Sequence, residues 1–287
     1  MRLSLCAGEA MIPANYRIAI ICNLLPEFLG YGGFLQRGLQ KICHVQHFVP
    51  GEELEGFDEY WYIDDGPTAY MEPKFHPATY FAMDMVVKPY WWLDPVEHYF
   101  ERMGNFDRNF TTSTASMQYC ADRGMDAPML GFAADPDYHK PHDVKREYDW
   151  IAVWHNCGDR IDATEAAYNA FPGGRWLWAG NELYADYISR GKCALNYLRG
   201  DIVNMRTFEV MAIGTPLINS RHEDMDYYGF VEGEHYLGFE NVLEMLDQIA
   251  WVQTNRDETN QMALRAREFV LSKHTYYHRA MEILGDK

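Results

Sequence analysis

Short apolar runs alternate along this 287-residue chain with segments whose apolar residues recur at helical spacing. RIAIIC (17–22) is such a run, and residues 34–42 after it place their apolar side chains on one helical face. Strands that alternate with helices are joined by crossovers, which make the strands parallel and cover both faces of the sheet. The chain is therefore predicted to belong to the α/β class.

The alternation continues to the end of the chain and divides into two sets of elements. In the first set we expect strands at 17–22, 44–50, 57–65, 78–85 and 127–135, with residues 106–113 leading into a helix that ends at Gly124. In the second set we expect strands at 147–154, 175–180, 194–198 and 215–220, and helices at 162–171, 206–214, 240–253 and 258–274. The polar segment 134–147 contains two prolines and is predicted to link the sets.

This organisation predicts two doubly wound, Rossmann-like domains of similar size that face a central cleft. We interpret residues 1–16 as a leader, 17–141 as the first domain, 142–272 as the second domain and 273–287 as a C-terminal helix. Ligands of doubly wound sheets bind beyond the carboxyl ends of the strands. The cleft between the domains is therefore the expected binding site.

Composition excludes several classes of protein. Apolar residues make up 48% of the chain, too many for a disordered protein. Lys and Arg number 25 against 42 Asp and Glu, and the resulting net charge of −17 opposes a broad phosphate-binding surface. No apolar run approaches the roughly 18 residues of a membrane span, and no secretion signal is recognisable. We expect a cytoplasmic protein, in the host cytoplasm if a phage encodes it.

The cysteines and histidines show no metal-binding pattern. The six cysteines are scattered along the chain, as expected for reduced thiols of a cytosolic protein. No pair among His44, His47, His155 and His222 has metal-ligand spacing on one helix. We therefore predict no metal site and no bound cofactor.

A glycine-rich segment follows the first predicted strand. Gly30, Gly32 and Gly33 precede a predicted helix, which is how nucleotide-binding units begin. The dinucleotide pattern G-x-G-x-x-G fails because Leu35 stands at its third glycine, and no phosphate-binding G-x-x-x-x-G-K-[ST] is present. NAD and ATP chemistry is thus not indicated. The segment is predicted to be a flexible loop whose amides approach a phosphate or a sugar; the alternative is a plain turn.

The most informative segment runs from residue 195 to residue 220. It contains the pattern N-x-R-x-F-E-x-x-A-x-G-x-P, formed by Asn204, Arg206, Phe208, Glu209, Ala212, Gly214 and Pro216. With this pattern the segment resembles the C-terminal domain of GT-B-fold glycosyltransferases of the group-1 and spore-maturation CgeB-like branch. The segments 134–141, 231–239 and 274–279 also resemble that branch.

The resemblance implies a glycosyltransferase that moves a sugar from a nucleotide-sugar, most often a UDP-sugar, to an acceptor hydroxyl. The acceptor is then a glycan, a protein or a small molecule. Enzymes of this kind are usually retaining and need no metal ion. The resemblance therefore implies front-side transfer, in which the leaving phosphate helps to deprotonate the acceptor.

The chemistry of a nucleotide-sugar fits the residue types of this segment. An always-charged guanidinium stabilises the leaving diphosphate, which makes Arg206 the first candidate and Arg160 the next. Glu209 matches the family residue that accepts the ribose hydroxyls. In isolation, Arg206 and Glu209 would be interpreted as a surface ion pair three residues apart on a helix.

The remaining candidates lie on both sides of the expected cleft. On the donor side are Asn204, Gly32, Gly33 and Gly214, together with Asp201, which stands where related enzymes often have a first glutamate eight residues before the second. On the acceptor side, Asp84 and Asp64 end predicted strands and are candidates to orient a hydroxyl. Trp91 and Trp92 are candidates to stack on a sugar or on an extruded base. Each of these acceptor-side residues is also explained as a cap, a turn residue or part of the core.

Two other functions stay open. One is a phage-type DNA glycosyltransferase that acts on hydroxymethylated bases, with Lys74, Lys88 and Arg108 in a local basic groove despite the net charge. The other is a sugar-nucleotide epimerase or a non-catalytic nucleotide-binding module.

Overall fold

Two parallel sheets of five strands each organise the described part of the chain. This part comprises residues 12–13, 15–23, 30–64, 72–87, 95–179 and 181–285 of a computed structural model. Every strand pairing in both sheets is parallel. The prediction of an α/β protein with parallel sheets is confirmed.

The first sheet has the strand order β2-β1-β3-β4-β5. Its central strands are apolar on both faces, and the helix after β1 packs against β1 and β2. The elements of this domain are β1 (Arg17–Ile21), α1 (Tyr31–Leu39), β2 (His44–Phe48), β3 (Glu59–Asp64), β4 (Ala78–Ala82), α2 (Val96–Met103), β5 (Arg108–Phe110) and α3 (Thr114–Ala121).

The second sheet has the order β10-β9-β8-β6-β7. Its helix α6 is buried along nearly its whole length between the sheet and a later helix, which explains its apolar sequence. The elements are β6 (Ile151–Val153), α4 (Asp159–Ala170), β7 (Arg175–Leu177), α5 (Asn181–Ser189), β8 (Ala194–Asn196), α6 (Met205–Ile213), β9 (Leu217–Ser220), α7 (Asp224–Tyr227), β10 (Leu237–Phe239), α8 (Val242–Thr254), α9 (Arg256–Lys273) and α10 (Tyr276–Gly285).

Both sheets are covered on both faces. In β1, Ile18 and Ile20 belong to one hydrophobic cluster, whereas Ala19 and Ile21 belong to another on the opposite face. Successive side chains of a strand point to opposite faces, so a strand buried on both sides must be continuously apolar. This burial explains the uninterrupted apolar runs and confirms that the domains are doubly wound.

The C-terminal helix α10 returns to the first domain and packs against α1. A Cβ atom at Gly38 would lie 2.5 Å from the carbonyl oxygen of Tyr276, so only glycine permits this approach. The Arg279 guanidinium, 5% exposed, donates to the backbone carbonyls of Gly131 and Phe132 at 2.9–3.2 Å. The segment 274–279, which resembles the CgeB-like branch in sequence, therefore attaches α10 to the first domain.

One predicted strand is absent from the structure. Residues 127–135 form no strand; they are an extended, largely buried segment held by single bridges from Thr111 to Met129 and from Ala134 to Thr275. An apolar run indicates that a segment is buried. It does not show whether the segment forms a hydrogen-bonded strand of a sheet or lies extended outside one. The sequence also left α2, α5, α7 and β10 unassigned.

The ends of the predicted domains are only partly described. Of the predicted leader, residues 12, 13, 15 and 16 are described, and Ile12 and Tyr16 pack against the core of the first domain. The Tyr16 hydroxyl also donates to the Glu59 carboxylate. None of the described helices combines the length and the apolar character that a membrane crossing requires.

Candidate active site

A cavity of about 420 Å³ lies between the two domains at the carboxyl ends of their strands. One wall is formed by residues that follow β1 and β4, and the other by the first turns of α4 and α6. Parallel strands end at the same edge of a sheet, and this brings residues distant in sequence together. The lining residues are Gly30, Tyr31, Met83, Asp84, Phe132, Arg160, Asn204, Met205, Arg206 and Glu209.

The N-terminus of α6 lines the cavity on the side of the second domain. Asn204 is the N-cap residue with extended backbone (φ −76°, ψ 167°), and its side chain does not cap the helix. The first amides of a helix carry partial positive charge and lack intrahelical partners. With Arg206 one residue into the helix, this end of α6 suits an anionic ligand.

Arg206 is half-buried in this wall. Its Nη1 donates to the side-chain oxygen of Asn196 at 3.3 Å, and its buried Nε has no hydrogen-bond partner among the described residues. An unpaired buried N–H is costly, because it has lost water without gaining a partner. A bound anion in the cavity would supply that partner.

Asn196 joins the strands to α6. Its amide nitrogen lies 2.8–3.1 Å from the side-chain oxygens of Asn204, Thr207 and Asn219. Asn196 and Asn219 are fully buried at the carboxyl ends of β8 and β9. This network holds the start of α6 against the sheet. The only local signal for it is a polar residue within an otherwise apolar strand.

Arg160 reaches the cavity from the first turn of α4. Its Nε and Nη2 donate to the carbonyl oxygen of Tyr197 at 3.0 and 2.6 Å, and the guanidinium lies 5.6 Å from the centre of the Trp154 ring. Arg160 is only 7% exposed, and these contacts hold its guanidinium in place. The structure thus brings Arg160 and Arg206, the two sequence candidates for binding a diphosphate, to the same cavity.

Glu209 lies one turn further along α6 and is 9% exposed. Its Oε1 lies 3.5 Å from Nε2 of His139, a residue of the segment that connects the domains. Burial raises the pKa of the neighbouring Tyr184 hydroxyl, and the charge of Glu209 adds to this shift. His139 was not singled out by the sequence, because it is 70 positions from Glu209 and matches no motif.

Asp84 faces the cavity from the first domain, in the turn after β4. No hydrogen bond to its carboxylate is found within the described ranges, and burial raises its pKa. A carboxylate of this kind can accept a hydrogen bond or a proton from a hydroxyl bound in the cavity.

Asp64, predicted to contact the acceptor, is instead part of the core. It is 1% exposed, and its carboxylate accepts hydrogen bonds from Tyr80 and from Arg102 Nη1, the latter at 3.2 Å. Burial raises the pKa of Asp64 to about 6, although Tyr80 and Arg102 act against this shift. Its partners satisfy Asp64 inside the protein, so an acceptor would have to displace them.

Three glycines predicted on the donor side lie within or at the end of helices. Gly32 and Gly33 are in the first turn of α1, so neither belongs to the predicted loop. A Cβ atom at Gly32 would lie 2.6 Å from Cys22 Sγ, so glycine serves helix–strand packing there. Gly214 ends α6 with φ +79°, roughly 13 Å from the helix start at 1.5 Å per residue. Of the residues of this glycine-rich segment that the structure describes, Gly30 and Tyr31 line the cavity.

Asp201 connects the two domains. It is 3% exposed, and its Oδ2 accepts the backbone N–H of Val87 at 3.0 Å. The described residues that line the cavity do not include Asp201. Its observed contact is between the domains, whereas the sequence predicted a contact with the sugar. Trp91 and Trp92 lie outside the described residues. Among those that are described, no three His, Cys, Asp or Glu side chains are grouped to hold a metal ion.

Residues 154–285 match the model of a family described as "Glycosyl transferase-like". The matched range includes Arg160, the whole of α6 and the return of α10. This part of the chain is therefore similar to that family. No curated protein matches the chain.

Solved structures resemble the whole described architecture. Sucrose-phosphate synthase from Thermosynechococcus elongatus aligns with a TM-score of 0.66 at 10% identity, over 94% of this chain and 97% of that chain. The Anabaena protein HepE in complex with UDP and glucose aligns with a TM-score of 0.63 at 10% identity, over 94% and 98%. T4 phage β-glucosyltransferase with UDP-glucose aligns with a TM-score of 0.57 at 12% identity, over 94% and 97%.

At these identities the likeness concerns the fold. Two parallel-sheet α/β domains that face each other across a cleft form the GT-B arrangement of glycosyltransferases, which the motif around Arg206 implied. The fold prediction is confirmed, together with the position of the cleft.

Proposed function

We propose that this protein is a glycosyltransferase that moves a sugar from a nucleoside diphosphate sugar, with a UDP-sugar favoured, to an acceptor hydroxyl. The observation that carries this proposal is that Arg160, Arg206 and Glu209 line one cavity at the start of α6. The motif from Asn204 to Pro216 supports a place near the spore-maturation CgeB-like branch. The similar structures of T4 phage β-glucosyltransferase with UDP-glucose and of HepE with UDP and glucose support the choice of base.

The donor's diphosphate would be held by the two guanidiniums and the first amides of α6. Negative charge grows on the leaving phosphate as the bond to the sugar breaks. Preorganised cations in a site that excludes water stabilise this charge without reorganisation. Arg160 is anchored by Tyr197, and Arg206 by Asn196, so both are held in place before the donor binds.

The ribose of the donor would be bound by Glu209. A carboxylate accepts hydrogen bonds from both hydroxyls of a diol, and Glu209 lies one turn beyond the phosphate-binding end of α6. This order along the helix, with the cation first and the carboxylate next, matches the order of phosphate and ribose in the donor.

For the transfer step we propose retention of configuration without a metal ion. The bond from the acceptor oxygen to the anomeric carbon forms on the face from which the phosphate oxygen leaves, and the hydroxyl proton passes to that phosphate. Asp84 orients the acceptor hydroxyl from the first domain. Its position in the cavity also favours a second route, in which Asp84 takes the proton and the configuration inverts.

Thermal unfolding with UDP, GDP, ADP, CMP, NAD and common sugar conjugates tests the donor. A ligand at about 100 times its Kd stabilises the protein by roughly 2.7 kcal/mol, which raises the Tm measurably. We expect a shift with UDP and with one UDP-sugar. A shift with NAD alone, or with no nucleotide, would contradict the proposal. Interconversion of the sugar-nucleotide without an acceptor would identify an epimerase instead.

Modified DNA is the second candidate acceptor. The likeness to T4 phage β-glucosyltransferase, whose structure is described as a DNA modifying enzyme, covers 94% of this chain. The expected basic groove receives no support, because Arg108 begins β5 at the end away from the cleft and donates to the Ile283 carbonyl. Lys74 donates to the carbonyls of Gly51 and Glu53, and Lys88 lies outside the described residues. Transfer to hydroxymethylated but not to unmodified DNA, weakening steeply with salt, would establish this candidate.

The protein's thiols support a reducing compartment. Cys120, Cys157 and Cys193 are free thiols. Stable unpaired thiols are typical of the cytoplasm, which is where we place this transferase.

A further inference from the structure

We infer that His139 is a positioning residue for Glu209, so that the segment connecting the two domains sets the recognition of the donor's ribose. This inference rests on the proposed function and adds a residue that lies outside the glycosyltransferase-like motif.

His139 is held rigidly in the connecting segment. It is 3% exposed, and its ring lies 4.9 Å from the Phe34 ring and 6.2 Å from the Tyr184 ring, measured between centres. Its backbone N–H donates to the carbonyl of Asp135 at 2.7 Å. The first domain thus packs on one side of the imidazole and the second domain on the other.

The hydrogen bonds of His139 determine which ring nitrogen carries the proton. Nδ1 accepts the backbone N–H of Asp135 at 3.0 Å, so it cannot hold a proton itself. Burial lowers the pKa of His139, which keeps the ring neutral near pH 7, although the charges of Glu209 and Asp135 act the other way. The single proton of a neutral ring is then on Nε2, the nitrogen that lies 3.5 Å from Glu209 Oε1.

This contact restrains the carboxylate that is assigned to the ribose. A glutamate side chain has three rotatable bonds, and a donor at one oxygen limits their freedom while leaving lone pairs of the other oxygen for a ligand. Preorganisation of this kind improves binding because less freedom is lost when the ligand arrives. His139 therefore acts on the ribose through Glu209.

The restraint extends to the first domain. The carboxylate of Asp135, 4% exposed, accepts a hydrogen bond from Arg37 Nε of α1 at 2.6 Å. Arg37, Asp135, His139 and Glu209 thus form a continuous series of contacts from α1 to α6. These contacts connect the proposed donor site in the second domain to α1 of the first domain.

Two substitutions separate positioning from a merely structural role. His139→Asn retains an oxygen near the position of Nδ1 for the Asp135 N–H but does not reach Glu209. His139→Gln places an amide donor near the position of Nε2. His142→Asn, in the same segment but with a 37% exposed side chain, is the matched control.

The measurement is calorimetric binding of UDP and of 2′-deoxyuridine 5′-diphosphate to each variant of the full chain. We expect wild type and His142→Asn to prefer UDP by about tenfold or more, the value of a hydrogen bond to a charged group. We expect Glu209→Gln and His139→Asn to lose most of this preference, and His139→Gln to keep most of it. The Tm of each variant establishes that it is folded.

The outcomes separate this inference from the proposed function. An undiminished preference in His139→Asn, or equal losses in the Asn and Gln variants, would overturn the role of His139 alone. A preference that survives in Glu209→Gln would overturn the ribose assignment. No binding of UDP to the wild-type protein would overturn the UDP-dependent function and this inference with it.

Discussion

Arg206 Nη1 lies 3.3 Å from the side-chain oxygen of Asn196, the last residue of β8. This contact joins α6, which begins at the cavity, to the carboxyl end of β8. Asn196 is itself held by three side-chain oxygens, so the position of the cation is set by a buried network rather than by the helix alone.

Substitution of Arg206 tests the diphosphate assignment. Arg206→Ala should lower kcat by about 100-fold or more, because it removes charge stabilisation from the transition state. The folded structure should persist, since the side chain is only half-buried. Initial rates with the identified donor measure the loss, and Arg265→Ala, at an exposed position of α9, is the control. A rate within a factor of two of wild type would remove Arg206 from the site.

Substitution of Glu209 tests the ribose assignment. Glu209→Gln should weaken nucleotide binding by roughly 1–3 kcal/mol, because an amide is a poorer partner for two hydroxyls than a carboxylate. Calorimetric titration with the nucleoside diphosphate measures the change. Glu165→Gln, at an exposed position of α4, should bind like wild type. Unchanged affinity in Glu209→Gln would disprove the assignment.

Substitution of Asp84 distinguishes the two transfer routes. If Asp84 only orients the acceptor, Asp84→Asn should lower kcat by about tenfold and leave the anomeric configuration of the product retained. If Asp84 is the base, the loss should reach about 10²–10⁴-fold and the wild-type product should be inverted. NMR of the product's anomeric proton measures the configuration.

The pH dependence of transfer supplies a second test of Asp84. Burial raises its pKa, so its charged form is lost at a higher pH than for an ordinary aspartate. Wild-type kcat should therefore fall as the pH decreases through this raised pKa, and Asp84→Asn should lack that decrease. If kcat falls equally at low pH in wild type and in Asp84→Asn, the decrease is caused by another titrating group.

His274 makes the stability of the protein sensitive to acid. Burial, with the charge of Arg279 as the next cause, lowers its pKa from 6.5 to about 3. Between these values the unfolded chain binds the proton and the folded protein does not, so the free energy of unfolding falls as the pH decreases from 6.5 towards 3. Denaturant unfolding at pH 7 and pH 5 should show a smaller decrease for His274→Gln than for wild type. Equal decreases would contradict this contribution.

Gly38 tests the docking of the C-terminal helix. Gly38→Ala should destabilise the protein by about 1–3 kcal/mol, because the new Cβ would lie 2.5 Å from the Tyr276 carbonyl oxygen and force α1 and α10 apart. Thermal unfolding measures the loss. Gly285→Ala, where a Cβ meets no atom within 4 Å, should leave the Tm nearly unchanged. A Tm for Gly38→Ala as high as that of the control would mean that the helices adjust without cost.

Asp64 and Asp84 show where prediction from sequence stops. Both follow apolar runs at the carboxyl ends of neighbouring strands, so local pattern treats them alike. In the structure, Arg102 and Tyr80 enclose Asp64, whereas Asp84 faces the cavity. Arg102 belongs to α2, a helix that the sequence left unassigned, and its contact with Asp64 depends on how that helix packs.

Sequence patterns are enough to predict the class of the fold, the positions of most strands and the importance of the segment around Arg206. These are local properties: a strand that is buried on both faces needs a continuous apolar run, and the residues at the start of a helix are adjacent in the chain. The packing of Gly32, the contact of Asp201 between the domains and the contact of His139 with Glu209 emerge only in the folded protein. They depend on which side chains lie opposite one another once two sheets and a connecting segment are packed together.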